Sequence, residues 1–215
     1  MSAVSMALTL NLPLRIKQIE PGVCAVNGTT SDCVNIALQK ILPALPDFVV
    51  SGMNLGENLS EDVFFSGTVG GAFSAHLYGI PALAVSLLAA PQPQGEPHFD
   101  CRAGARIAAR ILDRLLPAAN GRVVYNLNIP SPHRGEIAVT RLGRKRYTPD
   151  IIERCDPRGR AYYWIGAGQP GCNGHRGSDV WAVHNGYVSL SVIRYVLNAA
   201  GERQELARAF RGFSL

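Results

Sequence analysis

The sequence predicts an α/β protein whose core is a parallel β-sheet with helices on both faces, in three layers. Short apolar runs alternate with helical patterns through residues 1–90, and each run ends in small polar residues, as in βαβ units. The runs are continuously apolar, which is typical of strands covered on both faces. The 215 residues, 47% apolar and 17% charged, suffice for a buried core.

The first predicted helix runs from Cys33 to Leu42, with Asp32 as its N-cap and Pro43 just beyond its end. The apolar run from Pro46 to Val50 follows as a short buried strand. That strand leads directly into a glycine-containing loop, SGMNLGENLSED, at residues 51–62.

Two further helix–strand pairs complete a first unit, predicted as residues 1–130. Ser66 to Gly79 is a capped helix ending at a glycine, and Ile80 to Leu88 is a buried strand. Cys101 to Leu116 has apolar residues at helical spacing, and Val123 to Pro132 is a strand that ends at its prolines.

Beyond residue 130 the pattern changes to that of β-hairpins. EIAVTRLG alternates, AYYWIG is aromatic, and WAVHNGYVSLSVI holds two strand-like runs around Asn185 and Gly186. A final helix is predicted from Glu202 to Phe210. We therefore expect residues 131–215 to form a β-rich extension that packs on itself or on a partner subunit.

Composition excludes several classes of protein. No apolar stretch reaches the roughly 18 residues that a membrane span needs, so we expect no membrane association. The first ten residues lack the basic start of a secretory signal. The five cysteines are odd in number and contain no CxxC pair, which favours reduced thiols and a cytoplasmic location.

Positive charge is concentrated in the second half of the chain. Residues 121–215 carry 14 basic and 7 acidic side chains, and the densest basic run is RLGRKR at residues 141–146. Such a basic region could bind a polyanion. It could equally be a solvent-exposed surface or face another subunit of an oligomer. Because no nucleic-acid-binding motif accompanies it, we do not expect nucleic acid to be the main partner.

The loop after the Pro46 to Val50 strand is the candidate ligand site, because ligands of open α/β sheets bind beyond the carboxyl ends of the strands. Its glycines allow close backbone approach, and its neutral polar side chains suit a phosphate or a hard cation. The helix that starts at Gly67 and Thr68 would direct its first amides at an anion. The site residues predicted in and after this loop are Ser51, Asn54, Asn58, Ser66, Gly67 and Thr68.

A purely structural explanation is also open. Ser66 would then only cap the helix, and Asn54 and Asn58 would only hold a turn together. Two asparagines four residues apart, with interleaved glycines and a following SGT, favour the ligand site. A metal site is less well supported, because Mg²⁺ and Mn²⁺ prefer carboxylates.

At these residues the sequence resembles the SurE family of survival proteins. SGMNLGEN, FFSGTVGGA and GIPALAVS are similar to three family blocks in the same order, and GTTSDCV and YNLNIP also match. TRLGRKRY, DPRGRAYYWIG and GSDVWAVHNGYVSLSVI extend the resemblance over nearly the whole chain.

The resemblance implies a Rossmann-like three-layer core with a C-terminal β-hairpin extension. It also implies a metal-dependent phosphatase that hydrolyses nucleoside 5′-monophosphates, with 3′-monophosphates as a second option. Asn58 would then be catalytic and would bind phosphate with Ser66, Gly67 and Thr68, while Asn54 and Ser2 would bind Mg²⁺ or Mn²⁺. Other members suggest a homodimer or homotetramer, built partly by the hairpin arm.

One family feature has no counterpart in this sequence. The family opens with a strand that ends in NDDG, whose paired aspartates bind the metal, and no NDDG occurs here. We therefore expect the first strand, helix and second strand of the family fold to be missing. The alternative to an enzyme is a non-catalytic protein that keeps the phosphate pocket and the oligomer interface.

Overall fold

The computed structural model describes residues 5–90, 96–146, 150–166, 171–172, 174–194 and 200–211. Its strands are β1 (Ile16–Glu20), β2 (Val23–Val26), β3 (Val49–Leu55), β4 (Ala82–Leu87), β5 (Val124–Ile129), β6 (Ile137–Thr140), β7 (Lys145–Arg146), β8 (Ile151–Cys155), β9 (Ala161–Ile165), β10 (Gly171–Cys172) and β11 (Val188–Ile193). Its α-helices are α1 (Thr30–Ile36), α2 (Gly67–His76), α3 (Cys101–Leu115), α4 (Asp179–His184) and α5 (Ala200–Ala209).

Five strands form the central sheet, in the order β3-β4-β5-β11-β6. β3, β4 and β5 are mutually parallel and β6 is parallel to β11, whereas β11 runs antiparallel to β5. The sheet is therefore mainly parallel, and the predicted α/β fold is confirmed. Two of its strands, β6 and β11, lie after residue 130, so the central sheet crosses the boundary that the sequence indicated.

Each face of the sheet packs against helices through its own apolar cluster, so the fold has three layers: helix, sheet and helix. Ala82 and Ala84 of β4 pack with apolar residues of α2 on one face. Leu83 and Val85, which point the opposite way, pack with Ile111 of α3 on the other face. All six residues of β4 are buried, as the unbroken apolar run predicted.

The start of α1 corrects one prediction. Thr29, not Asp32, is the N-cap, because the Thr29 hydroxyl accepts a hydrogen bond of 3.1 Å from the Asp32 amide. The Asp32 carboxylate accepts one of 2.8 Å from the Thr29 amide in return. The two residues thus form a capping box, which moves the helix start three residues upstream. A π-helical turn, Ala37–Ile41, continues the helix toward Pro43.

The segment around Asn185 and Gly186 is not the predicted pair of strands. Its first half is α4, where the Ser178 hydroxyl caps the helix by accepting from the Trp181 amide at 3.2 Å. Its second half is β11, which lies in the central sheet. The helix forms because it has an N-cap and buries a face, whereas the strand-like composition of WAVH reflects only its apolar content.

The predicted hairpin extension is present as β8 and β9, which pair antiparallel from Ile151 with Ile165 to Cys155 with Ala161. A second hairpin, β1 with β2, was not predicted. Among the helices that the structure describes, none has the length and apolarity that crossing a membrane requires.

Candidate active site

β3 carries the predicted loop to the carboxyl edge of the sheet. The strand extends to Leu55, so Ser51 and Asn54 lie within it, opposite Ala84 and Ser86 of β4. At its end the Gly56 amide donates a hydrogen bond of 2.8 Å to the Leu87 carbonyl. The ends of β3 and β4 are therefore held together where the loop begins.

Gly52 is required by the backbone conformation of β3 and by its close contact with β4. Its φ is +137°, and a Cβ atom there would lie 2.6 Å from the Val85 carbonyl oxygen. Any other residue would thus be strained and would collide with the neighbouring strand. Close approach to a ligand, the role predicted for this glycine, is not needed to explain it.

Asn54 has the turn-holding role that was one of the two alternatives left open by the sequence. Its side-chain nitrogen donates to the Gly56 carbonyl at 2.9 Å and so holds the turn. The side chain is half-buried at the edge of the sheet, beside Ser86 in register. Its amide nitrogen is committed to the turn, which leaves the oxygen as the group for a ligand.

Asn58 is held by the ends of β4 and β5. Its side-chain nitrogen donates to the Ser86 hydroxyl at 2.7 Å, and its amide donates to the Asn128 side-chain oxygen at 2.9 Å. Its carbonyl accepts from the side chains of Asn126 and Asn128 at 2.9 and 3.1 Å. Asn58 is 6% exposed, so the nitrogen predicted to steady a phosphoryl group is instead used inside the protein.

Asn126 and Asn128, whose side chains bond the Asn58 main chain, are residues that the sequence analysis missed. Both are fully buried and alternate with Leu127 along β5, so they point to the same face. The alternation of asparagine with apolar residues in YNLNIP was the available signal, because buried asparagines need hydrogen-bond partners.

Ser66, Gly67 and Thr68 form the start of α2, as predicted. The Ser66 hydroxyl caps the helix by accepting from the Val69 amide at 3.1 Å. Ser66 and Gly67 are buried and Thr68 is half-buried. The first turn of α2 contains no acidic residue, so no side chain of that turn repels an anion at the positive end of the helix dipole.

The two groups of predicted residues lie on one edge of the sheet. β3 and β4 are parallel and α2 connects them, so α2 begins at the carboxyl end of β3. A 3₁₀ turn, Ser60–Phe64, links Asn58 to Ser66. The remaining predicted residue, Ser2, lies outside the described residues.

Asp179 is a third residue that the sequence analysis missed. It is fully buried, and its carboxylate accepts from the amides of Ser60, Gly143 and Val180 at 2.8, 2.7 and 2.8 Å. One carboxylate thus ties the 3₁₀ turn of the site to the basic segment RLGRKR and to the start of α4. The basic segment is thereby anchored beside the site.

Asp32 holds the segment before β1 against the start of α1. Burial raises the pKa of its carboxyl, but hydrogen bonds from the hydroxyl and amide of Thr9 and from Thr29 outweigh burial, and the pKa lies below its usual value. The Thr9 hydroxyl donates at 2.6 Å and the Thr9 amide at 3.0 Å. Asp32 is therefore an ionised anchor, and it is committed to these donors.

The residues at this edge do not by themselves fit a divalent cation. Asn54 offers one amide oxygen, whereas Mg²⁺ and Mn²⁺ prefer carboxylates. Across the described part of the chain, no three His, Cys, Asp or Glu side chains come together in a way that could hold a metal ion. The predicted site residues at the edge have neutral side chains, which suit an anion better than a cation.

A cavity of about 460 Å³ lies elsewhere, between α3 and the strands β6 and β11. Its lining is apolar except for Arg110, Arg114 and His133, and none of the predicted site residues takes part in it. The polar edge beyond β3 and β4 remains the candidate site, because the predicted residues of β3 and α2 lie there.

The fold defines an α/β protein of three layers, with a polar edge at the carboxyl ends of its parallel strands. Residues 1–149 match the family model described as Survival protein SurE, and the chain belongs to the SurE family.

Similar proteins extend this match along the chain. A relative named 5′-nucleotidase SurE from Syntrophotalea carbinolica is 42% identical over 190 residues, covering 88% of this chain and 75% of the relative. One of the same name from Geobacter sulfurreducens is 43% identical over 191 residues, covering 88% and 72%. The crystal structure of the SurE protein from Aquifex aeolicus has a TM-score of 0.82 at 33% identity, covering 97% of this chain and 84% of that chain.

Proposed function

We propose that this chain hydrolyses nucleoside 5′-monophosphates to nucleoside and phosphate. The observation that carries the proposal is the start of α2, where Ser66 caps a helix whose first turn lacks acidic residues, at the carboxyl edge of the sheet. The names of the relatives from Syntrophotalea carbinolica and Geobacter sulfurreducens support a nucleotidase.

In this proposal the start of α2 binds the phosphoryl group. The amides of Gly67 and Thr68 and the hydroxyl of Thr68 donate to the phosphoryl oxygens, and the helix dipole stabilises their charge. Asn58 does not contact the phosphoryl group in this proposal. Its polar groups hold the loop against β4 and β5. Water attacks phosphorus, the ester P–O bond breaks, and the nucleoside leaves with a proton.

A requirement for Mg²⁺ or Mn²⁺ is the finer part of the proposal and comes from the family resemblance. Asn54 and Ser2 are the residues proposed to contact the ion. The neutral side chains predicted for the edge do not fit a divalent cation on their own, and the phosphoryl contacts proposed here involve only groups of the protein.

The test is phosphate release by the purified chain from 5′-AMP, 3′-AMP and p-nitrophenyl phosphate, each with Mn²⁺, with Mg²⁺ and with chelator. We expect 5′-AMP to be the best substrate and chelator to abolish turnover. Turnover that survives the chelator would overturn the metal requirement, and faster hydrolysis of 3′-AMP would overturn the 5′ preference.

A second candidate is a non-catalytic phosphate-binding protein. The neutral donor set of the edge favours it, because anion binding needs only the helix start whereas hydrolysis needs an activated water. It predicts binding of inorganic phosphate without turnover of any of the three esters. Metal-dependent release of phosphate from 5′-AMP would eliminate this candidate.

We further propose a cytoplasmic homodimer or homotetramer in which the β8–β9 hairpin contacts a partner subunit. Trp164 and Ile165 of the hairpin are 62% and 74% exposed, and such apolar exposure favours an interface. Light scattering of Trp164→Glu should show a smaller species than that of the unsubstituted chain. An unchanged mass would exclude Trp164 from the interface.

A further inference from the structure

Asn128 of β5 bonds both main-chain groups of a single residue. Its side-chain oxygen accepts from the Asn58 amide at 2.9 Å, and its side-chain nitrogen donates to the Asn58 carbonyl at 3.1 Å. A neighbouring β-strand bonds a residue in the same way: it accepts from the residue's amide and donates to its carbonyl. One side chain therefore replaces a strand where β3 has already ended.

These side-chain bonds matter because Asn58 is buried, at 6% exposure, and lies beyond the end of β3. A buried main-chain amide or carbonyl without a partner is costly, so these bonds stabilise the loop in this position. Asn126 adds a second donor to the same carbonyl at 2.9 Å. Neither Asn126 nor Asn128 is exposed, so water does not compete for these bonds.

The bonded peptide lies between the two halves of the candidate site. Asn54 and its turn precede it by four residues, and the Ser60–Phe64 turn that leads to the Ser66 cap follows it. We propose that Asn128 is a positioning residue, which fixes residues 54–60 through the Asn58 main chain and thereby sets the phosphate site. The part that concerns phosphate rests on the proposed function.

The experiment compares the full chain with Asn128→Leu and Asn128→Asp. Leucine has a similar shape and removes both bonds, whereas aspartate keeps the acceptor for the Asn58 amide and loses the donor. Hydrogen exchange of residues 54–60 should accelerate about tenfold in Asn128→Leu, since the loss of such bonds is enough for a tenfold change in an equilibrium. Asn128→Asp should also accelerate exchange, because its buried carboxylate would face the Asn58 carbonyl oxygen.

A matched control is Thr140→Val on β6, at the far edge of the sheet. The Thr140 hydroxyl is buried and bonds Ser189 and Ser191 at 2.7 and 2.8 Å, without contacting the loop. This variant also replaces a buried polar group by an isosteric apolar one. It should lower Tm while leaving exchange at residues 54–60 unchanged.

For activity, Asn128→Leu should raise KM for 5′-AMP about tenfold and change kcat less than twofold, whereas Thr140→Val should leave KM unchanged. Unchanged loop exchange in Asn128→Leu, or an equal rise of exchange or KM in Thr140→Val, would overturn the inference. If the unsubstituted chain neither hydrolyses 5′-AMP nor binds inorganic phosphate, the proposed function fails. The exchange data would still decide whether Asn128 holds the loop.

Discussion

The carboxylate of Asp179 accepts a hydrogen bond of 2.8 Å from the main-chain amide of Ser60, 119 residues earlier in the chain. The same carboxylate accepts from Gly143 and Val180. It therefore joins the site turn, the basic segment and α4 in one buried junction. Because each bond satisfies a main-chain amide, the junction stabilises three segments that do not otherwise share a strand or a helix.

Replacing Asp179 with alanine should destabilise the chain by about 3 kcal/mol, since it leaves buried amides without an acceptor. Urea unfolding at pH 7 measures the change. Asp113→Ala, on an exposed position of α3, is the control and should change the free energy of unfolding by less than about 0.5 kcal/mol. Equal effects of the two substitutions would show that the Asp179 bonds contribute little.

Stability should fall in acid partly through Asp32. Its pKa is lowered in the folded state by the bonds from Thr9 and Thr29, so the unfolded chain binds the proton more readily. The stabilisation is complete above the unfolded pKa of about 3.9 and is lost as pH falls through the lower folded pKa. Urea unfolding between pH 7 and pH 3 measures it.

Asp32→Asn lacks the titrating group and is the control for that series. The variant should be less stable than the unsubstituted chain at pH 7, and the difference should shrink below pH 4. A difference that stays constant with pH would mean that ionisation of Asp32 does not contribute to stability.

Cys33 should react slowly with iodoacetamide. Burial raises the pKa of its thiol, and the neighbouring Asp32 carboxylate raises it further, so the reactive thiolate is scarce at pH 8. Cys24, Cys101 and Cys155 are free and exposed and serve as internal controls. Mass spectrometry of peptides from the native chain should find Cys33 the least modified of these four, and modification at the rate of Cys101 would contradict this.

Gly52→Ala should cost markedly more stability than Gly79→Ala. Both positions have positive φ, but a Cβ at Gly52 would lie 2.6 Å from the Val85 carbonyl, whereas a Cβ at Gly79 meets nothing within 4 Å. Gly79→Ala should therefore cost about 1 kcal/mol from φ alone, and Gly52→Ala at least about 2 kcal/mol more. Thermal unfolding compares them, and equal Tm values would show that β3 and β4 separate without cost.

The fold could be predicted well where local signals and burial agree. The Ser66 cap and the apolar run of β4 each have a short-range cause, and both were predicted near their observed bounds. The end of β3 was missed because Ser51 to Leu55 contains the glycine and polar residues that usually mark a loop. Its pairing depends on β4, more than 25 residues away.

The site could be predicted only in part for the same reason. Asn54 and Asn58 were chosen from spacing within one loop, but their partners Ser86, Asn126 and Asn128 come from other strands. Asp179 was missed because its three bonds connect segments far apart in sequence. Long-range hydrogen bonds leave no local pattern except the alternation of polar and apolar residues along a strand.

The most direct measurement is the rate of phosphate release from 5′-AMP by the purified chain in the presence of Mn²⁺, beside Thr68→Val. Valine keeps the shape of threonine and removes the hydroxyl proposed to donate to the phosphoryl group. We predict turnover by the unsubstituted chain and a loss in kcat/KM of about tenfold or more in the variant. No turnover by the unsubstituted chain, or equal rates for both, would contradict a phosphatase site at the start of α2.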